Sequence, residues 1–289
     1  MTDIFDIYLL EAMVNGILLG GVLALLALGL NLIFGVIDVT WICYAELVMI
    51  GMYGMYYMVQ AFGLPYYVAA PFTILLVAGL GALLHLLVIA PLLTAPPINQ
   101  LLATGGVLFV LQSFATVAFG IDFRNLGIRM PVLKFAEMHF SYSRLLAFAA
   151  ALIGMTLVYY FMKKTYVGTA IRAISQDRQI MALMGVDTRR IYLITSALGG
   201  ALAGLASCLL VLQYDIHPAI GLSFGPITFL ICVLGGLGNM LGGLIAAFIF
   251  AQFISVGGFV LAIEWGYVIA FVFFIAVMFW RPQGILGGK

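Results

Sequence analysis

Stretches without a charged residue or histidine organise this chain. They cover 12–37, 47–84, 86–121, 145–162, 191–214, 218–263 and 265–280. A helix that crosses a bilayer needs about 20 apolar residues. The three longest stretches are therefore too long for one crossing each. Each contains its own break: Gly63-Leu64-Pro65, Ala95-Pro96-Pro97 and Gly235-Gly236-Leu237-Gly238-Asn239. Glycine and proline end helices for backbone reasons, so these read as turns. The pattern predicts nine helices, at about 12–34, 41–60, 66–92, 98–120, 144–162, 191–213, 219–237, 240–260 and 265–280. If the pair flanking Asn239 is one broken or re-entrant element, the count is eight crossings. No array of short alternating strands is present, which disfavours a β-barrel. The expected fold is all-α: one polytopic transmembrane bundle over 1–289, of eight or nine segments with glycine-broken helices.

One long stretch breaks the apolar pattern. Segment 165–190 reads TYVGTAIRAISQDRQIMALMGVDTRR. Ile171, Ile174, Met181 and Ala182 fall near helical spacing, with Arg172, Asp177 and Arg178 on a polar side. That is an amphipathic surface helix, with Gly168 and Gly185 as its expected breaks. It reads either as a connecting loop on the membrane surface or as a docking helix for a cytosolic partner. For docking, Arg172 and Asp177 suit polar contacts and Ile174 or Met181 an apolar anchor.

Composition agrees with a bundle in lipid: 65% of the residues are hydrophobic and 8% charged. Soluble domains carry about 25% charged residues. The net charge of +1 leaves no broad basic face, so nucleic acid is not an expected partner. Cys43, Cys208 and Cys232 lie in apolar runs and read as small core residues. The N-terminus carries Asp3, Asp6 and Glu11 but no early Lys or Arg, unlike a cleavable signal. Lys163, Lys164, Arg172, Arg178, Arg189 and Arg190 cluster around the amphipathic segment, and Arg281 and Lys289 follow the last helix. Basic residues favour the cytoplasmic side. This places 165–190 and the C-terminus inside, and 121–143 and the N-terminus outside. The outer loop's Arg124, Arg129 and Lys134 moderate the asymmetry.

Few residues suggest chemistry. Glu46 lies among apolar neighbours, where a charge costs about 2.5–3.5 kcal/mol on insertion scales. It must face protein or water, as a pathway group or a structural one. Asp38 lies nearer a helix end. His85 has no carboxylate on its helix, which favours packing over a proton relay. Asp215 and His217 stand at an outer helix end before Pro218. Gly221-Leu222-Ser223-Phe224-Gly225 has the G-x-S-x-G form but no histidine downstream, so Ser223 is expected to cap a helix. Gly16/Gly20, Gly200/Gly204 and Gly238/Gly242 have the spacing that lets helices approach closely in lipid. No GxxxxGK[ST] occurs, so the chain is not itself a P-loop ATPase, and no metal-ligand motif is present.

Four stretches, in order, carry a resemblance. They are Asn15-Gly16 through Gly35; Gly168-Thr169-Ala170-Ile171-Arg172-Ala173 with Asp177, Ala182, Gly185-Val186-Asp187 and the small-residue run 196–207; Leu234 through Asn239 with Gly242-Gly243; and Arg281 through Gly287. Together they resemble the branched-chain amino acid permease family, the membrane subunits of ATP-binding-cassette importers, over essentially the whole chain. At 41–46 the family commonly shows Asn-Phe-Ala-His-Gly-Glu. Here Trp41-Ile42-Cys43-Tyr44-Ala45-Glu46 matches only at the glutamate; if this stretch lines the pathway, the departure argues against the family's usual amino-acid cargo.

The resemblance implies a permease subunit of an importer in the cell's inner membrane, moving a branched-chain or other small apolar amino acid or a related organic solute. It implies a second permease subunit, two cytosolic ATPases that hold the ATP, and an extracytoplasmic binding protein. This chain would bind no cofactor and catalyse no reaction. Coupling to the ATPases would involve Gly168, Arg172, Ala173, Asp177, Ala182 and Gly185. Trp41, Tyr44, Glu46, Gly235, Gly236, Gly238 and Asn239 are the candidate pathway. The alternatives are a stand-alone channel or secondary transporter, which would need an intramembrane acid–base network, and an intramembrane enzyme, which would need a convergent catalytic set.

Overall fold

The computed structural model describes residues 2–128, 132–135 and 138–287. Arg129 and Lys289 lie outside them, as do the side chains of Asp3 and Lys134. The chain runs α1 (Thr2–Ile37), α2 (Tyr44–Gln60), α3 (Tyr66–Leu84), a π turn (His85–Ile89), α4 (Ala90–Leu92) and α5 (Pro97–Phe119). A hairpin follows, β1 (Val132–Phe135) and β2 (Met138–Ser141), then α6 (Tyr142–Lys164), α7 (Tyr166–Gln176) and α8 (Arg178–Leu183). The last four helices are α9 (Thr188–Leu210), α10 (Ile220–Gly235), α11 (Met240–Val260) and α12 (Ile263–Trp280).

The apolar runs become helices as expected, because lipid leaves no other partner for their backbone groups. Six are long and apolar enough to cross a membrane, counting 66–92 as one. The shorter α2, α10 and α12 bring the total to nine among the described residues. The membrane part is thus all-α. The small antiparallel hairpin, paired Val132↔Ser141 to Phe135↔Met138, is an addition in the loop before α6.

Helix α1 is the central post. Its apolar window is 89% buried, against 11% for α5. It starts earlier than expected, at Thr2. Antiparallel α11 packs along it: Ser255 Oγ donates to the Ala12 carbonyl at 2.6 Å, Gly20 faces Phe248, and Gly243 faces Asn31. Helix α3 packs on α9 through Gly81, Gly200 and Gly204; a Cβ at Gly200 would stand 2.7 Å from the Val77 carbonyl. Pro91 explains the π turn before it. Proline has no N–H and clashes with the carbonyl four residues back, so the helix widens there. His85 begins that turn, buried, with Nδ1 3.0 Å from Ser196 Oγ on α9.

The contacts define two ends. At one, Arg144 Nη1 donates to Asn15 Oδ1 at 2.9 Å, and residues 120–127 pair with 215–217. At the other lie Asp38, α7, α8, the turn 236–239 and the tail 281–287.

Candidate functional site

The chain does not leave the bundle between α1 and α2. Asp38 turns it with φ of 59°, the one positive φ outside glycine among the described residues. Residues 39–43 are non-helical, yet Val39, Trp41 and Cys43 are buried. The Thr104 hydroxyl on α5 donates to the Thr40 carbonyl at 2.9 Å. Tyr44 Oη donates to the Gly199 carbonyl at 3.1 Å, about 16 Å along α9 from Thr188 at 1.5 Å per residue. Gly29 permits this, because a Cβ there would overlap the Tyr44 hydroxyl. Helix α2 thus begins inside the bundle. Irregular backbone at such depth survives only when sheltered by protein or lining a cavity.

Here it does both. Thr40, Trp41, Ile42, Tyr44 and Ala45 line one side of a cavity of about 310 Å³. Leu101 and Leu108 of α5, Leu30 of α1, and Gly221, Gly225 and Phe229 with their neighbours Leu222, Pro226 and Thr228 of α10 complete it. The wall is almost wholly apolar. Glu46 is 0% exposed, and neither carboxylate oxygen has a hydrogen-bond partner. The carboxylate lies against Gly221, where a Cβ would stand 2.5–2.6 Å from its atoms. The Trp41 Nε1 is buried and unpartnered as well.

The end of the bundle that carries the hairpin is closed by a zipped pair of loops. Arg124 and Ile216 exchange backbone hydrogen bonds of 2.9 and 2.7 Å. Arg124 also reaches the Tyr57 hydroxyl at 2.6 Å and the Phe119 carbonyl, and lies over the Tyr56 and Tyr57 rings. Asn125 donates to Asp215 at 2.7 Å, and Phe123 packs on His217 with centroids 4.8 Å apart. Burial pushes the His217 imidazole below its ordinary pKa, opposed by the Asp215 carboxylate. Ser223 does not cap α10. The helix starts at Ile220 behind Ala219, so Ser223 lies inside its first turns and lines a cleft beside Asp215 and His217.

The pathway candidates therefore divide. Trp41 and Tyr44 line the cavity and Glu46 lies buried behind its Gly221 wall; Gly235, Gly236, Gly238 and Asn239 are not at the cavity. Gly235 meets Gly242 and Gly243, and Gly238 lies on Gly35. Asn239 caps α11, accepting from Gly242 N at 3.0 Å and donating to the Leu286 carbonyl at 2.8 Å. Gly236 abuts Gly287, and Ile285 N donates to the Leu234 carbonyl at 2.7 Å. The glycine block is a junction between α10, α11, the end of α1 and the tail.

Segment 165–190 folds as two helices. Thr165 caps α7, accepting from Gly168 N at 3.0 Å. Gly168 is no break but a close-approach point: a Cβ would stand 2.5 Å from Met162 Cα and Phe161 O. Asp177, in extended conformation, separates the helices and accepts from Ile180 N at 3.0 Å. Gly185, with φ of 83°, ends the segment. Ile171 and Ile174 are buried against the bundle, so Ile174 at 1% exposure is no external anchor. Arg172 and Ala182 are exposed and Ala173 is half-buried. The outward apolar groups are Ile180, Leu183 and Met184, at 55%, 87% and 75% exposure.

Comparison with known proteins then decides the family. Residues 12–278 match the family model described as branched-chain amino acid transport system / permease component. The chain belongs to this family. It is 27% identical to the high-affinity branched-chain amino acid transport system permease protein BraD of Pseudomonas aeruginosa, over 96% of this chain and 95% of BraD. It is also 27% identical to the corresponding permease protein LivH of Escherichia coli K12, covering 97% and 96%. Among solved structures, PsaBC from Streptococcus pneumoniae in complex with Fab is similar, with a TM-score of 0.55, 14% identity and coverage of 98% and 97%. That likeness shows the fold. The chain is a multi-pass membrane permease component, not an enzyme.

Within this permease, sequence reasoning missed two groups. Thr40, Leu101, Leu108, Gly221 and Gly225 join the cavity only through long-range packing. Leu183 and Met184 lie off the apolar face that Ile171, Ile174 and Met181 define, so the helical pattern gave them no role, and the structure exposes them.

Proposed function

We propose that this permease moves a small apolar solute, such as a branched-chain amino acid, through the cavity beside 39–46. The buried, non-helical segment carries the reading. Backbone of this kind at membrane depth is costly unless it shapes a cavity, and here it presents Trp41, Tyr44 and Ala45 to one. The relatives' names supply the cargo class.

In this reading the end with α7 and α8 is cytoplasmic, in line with its basic residues. The hairpin and the start of α1 lie outside the inner membrane. Two cytosolic ATPase subunits bind the ATP, and one of them grips α8. A second permease subunit completes the pathway, and an extracytoplasmic binding protein delivers solute to the zipped outer loops. ATP-driven movement of α7 and α8 acts through Ile171 and Ile174 on the bundle and exposes the cavity to alternate sides, a switch between discrete packings.

The test is uptake into proteoliposomes holding the chain with its candidate partner subunits. Uptake that needs ATP and the binding protein is expected. Solute flux through the chain alone, without ATPase subunits, would return the channel reading.

A further inference from the structure

Among the described residues Glu46 is the one fully buried carboxylate, and neither of its oxygens has a hydrogen-bond partner there. The ion pairs among the described residues, Asp38–Arg178 and Asp187–Arg190, lie at the other end of the bundle. A charged or polar group held away from water without a partner is costly, and more so in a membrane. A purely structural Glu46 should have a hydrogen-bond partner, as two buried hydroxyls of this region have: Thr104 donates to Thr40, and Tyr44 to Gly199. Both Glu46 oxygens instead rest against Gly221, a residue that lines the cavity. The absence of a side chain at 221 thins the wall between carboxylate and cavity at that point. Trp41, also lining the cavity, offers a second uncompensated group of opposite character, an indole N–H that can only donate.

From this pairing we propose that Glu46 is the counter-ion for a positively charged nitrogen on the solute and that Trp41 donates to the solute's carboxylate. The apolar wall of Leu30, Leu101, Leu108 and Phe229 takes the carbon skeleton. The cavity is then specific for a small apolar zwitterion, and the charge on its nitrogen is the selected feature. A volume near 310 Å³ lies at the low end for small-molecule cavities and suits a solute of amino-acid size. The proposal rests on the reading of this cavity as the solute's resting place.

Direct binding to the full-length chain in lipid nanodiscs tests it, apart from any selection by a delivery protein. Saturation-transfer NMR is run with three probes of like skeleton: leucine, isoamylamine (no carboxylate) and isocaproate (no nitrogen). The wild type should bind leucine best and isoamylamine better than isocaproate. Glu46→Gln should weaken leucine and isoamylamine by about tenfold or more and leave isocaproate unchanged. Trp41→Phe should weaken leucine and isocaproate and leave isoamylamine unchanged, and this arm decides if the Glu46 variant does not fold. Isocaproate binding as well as isoamylamine in the wild type, or amine binding that survives Glu46→Gln, overturns the counter-ion role while ATP-driven uptake still supports the permease reading. Binding of none of the three overturns the cavity as a cargo site.

Discussion

The exposed face of α8 makes the most direct claim about coupling. Leu183 and Met184 are 87% and 75% exposed, next to the turn at Gly185. Burying a side chain of this kind is worth about 1.5–3 kcal/mol. Two of them at the centre of an interface with an ATPase groove would supply about 3–6 kcal/mol. At 1.4 kcal/mol per tenfold, that is a factor of about 10²–10⁴ in affinity. The double variant Leu183→Asp, Met184→Asp should therefore lose the ATPase on co-purification and lose ATP-driven uptake. Its own unfolding temperature should stay near wild type, because surface changes away from packing cost about 0.5 kcal/mol or less. Ile174→Asp is the contrasting variant: at 1% exposure it places a charge inside the bundle and should fail to assemble. A Leu183→Asp, Met184→Asp protein that retains its ATPase and transports at the wild-type rate would refute docking through α8.

Three further outcomes follow from single contacts. Gly29→Ala drives a methyl into the Tyr44 hydroxyl and should destabilise the detergent-solubilised chain by about 1–3 kcal/mol, with partial recovery when combined with Tyr44→Phe; melting curves of the three proteins check it. Asp38→Gly should transport normally, whereas Asp38→Val, which places a β-branched residue at φ of 59°, should cost about 1–2 kcal/mol and reduce uptake in proportion. In a background free of Cys43, Cys208 and Cys232, a cysteine at Asp122 should react with an impermeant maleimide in intact cells, and one at Gln176 only after permeabilisation; the reverse pattern would invert the topology.

The helices were legible because lipid makes hydrophobic run length nearly sufficient evidence. Glycine and proline then marked the turns at 63–65, 95–97 and 235–239. Features set by partners distant in sequence were not legible. Residues 39–43 looked like part of a helix or a surface turn; only Thr104 on α5 and Gly199 on α9 hold them inside. Glu46 could be flagged from its insertion cost, but its bareness depends on Gly221, 175 residues on. The glycine block misled differently. Its φ values of 99° at Gly236 and 80° at Gly238 and its contact with the tail explain the glycines without any solute. Gly168 was read as a helix breaker because glycine carries that meaning locally, whereas the α6–α7 corner uses it for close approach. Ile174 could be read as an external anchor because an apolar helix face can point to a partner or to the bundle; only the packing of α7 on α1, α6 and α9 turns it inward.

The route from α8 to the cavity can be narrowed by magnitude. The visible link is the Arg178–Asp38 ion pair, 3.4 Å long, between a segment expected to move and the turn that feeds 39–46. Its side chains are 42% and 79% exposed, and such pairs contribute about 0–1 kcal/mol in water. That is too little to tip a transition that needs about 5.5 kcal/mol to pass from one state to the other. The stiff connection is the packing of α7. Ile171 and Ile174 are buried, and Gly168 lets the backbone of α7 rest directly on the end of α6. Close-packed groups shift together or repack; they do not stretch. Displacement of α7 therefore moves α1, α6 and α9 as neighbours, and α9 carries the Gly199 carbonyl to which Tyr44 is bonded. In the proposed coupling, force applied at the α7–α8 end reaches the cavity wall through Tyr44, with the Asp38 turn as the hinge on which residues 39–43 follow.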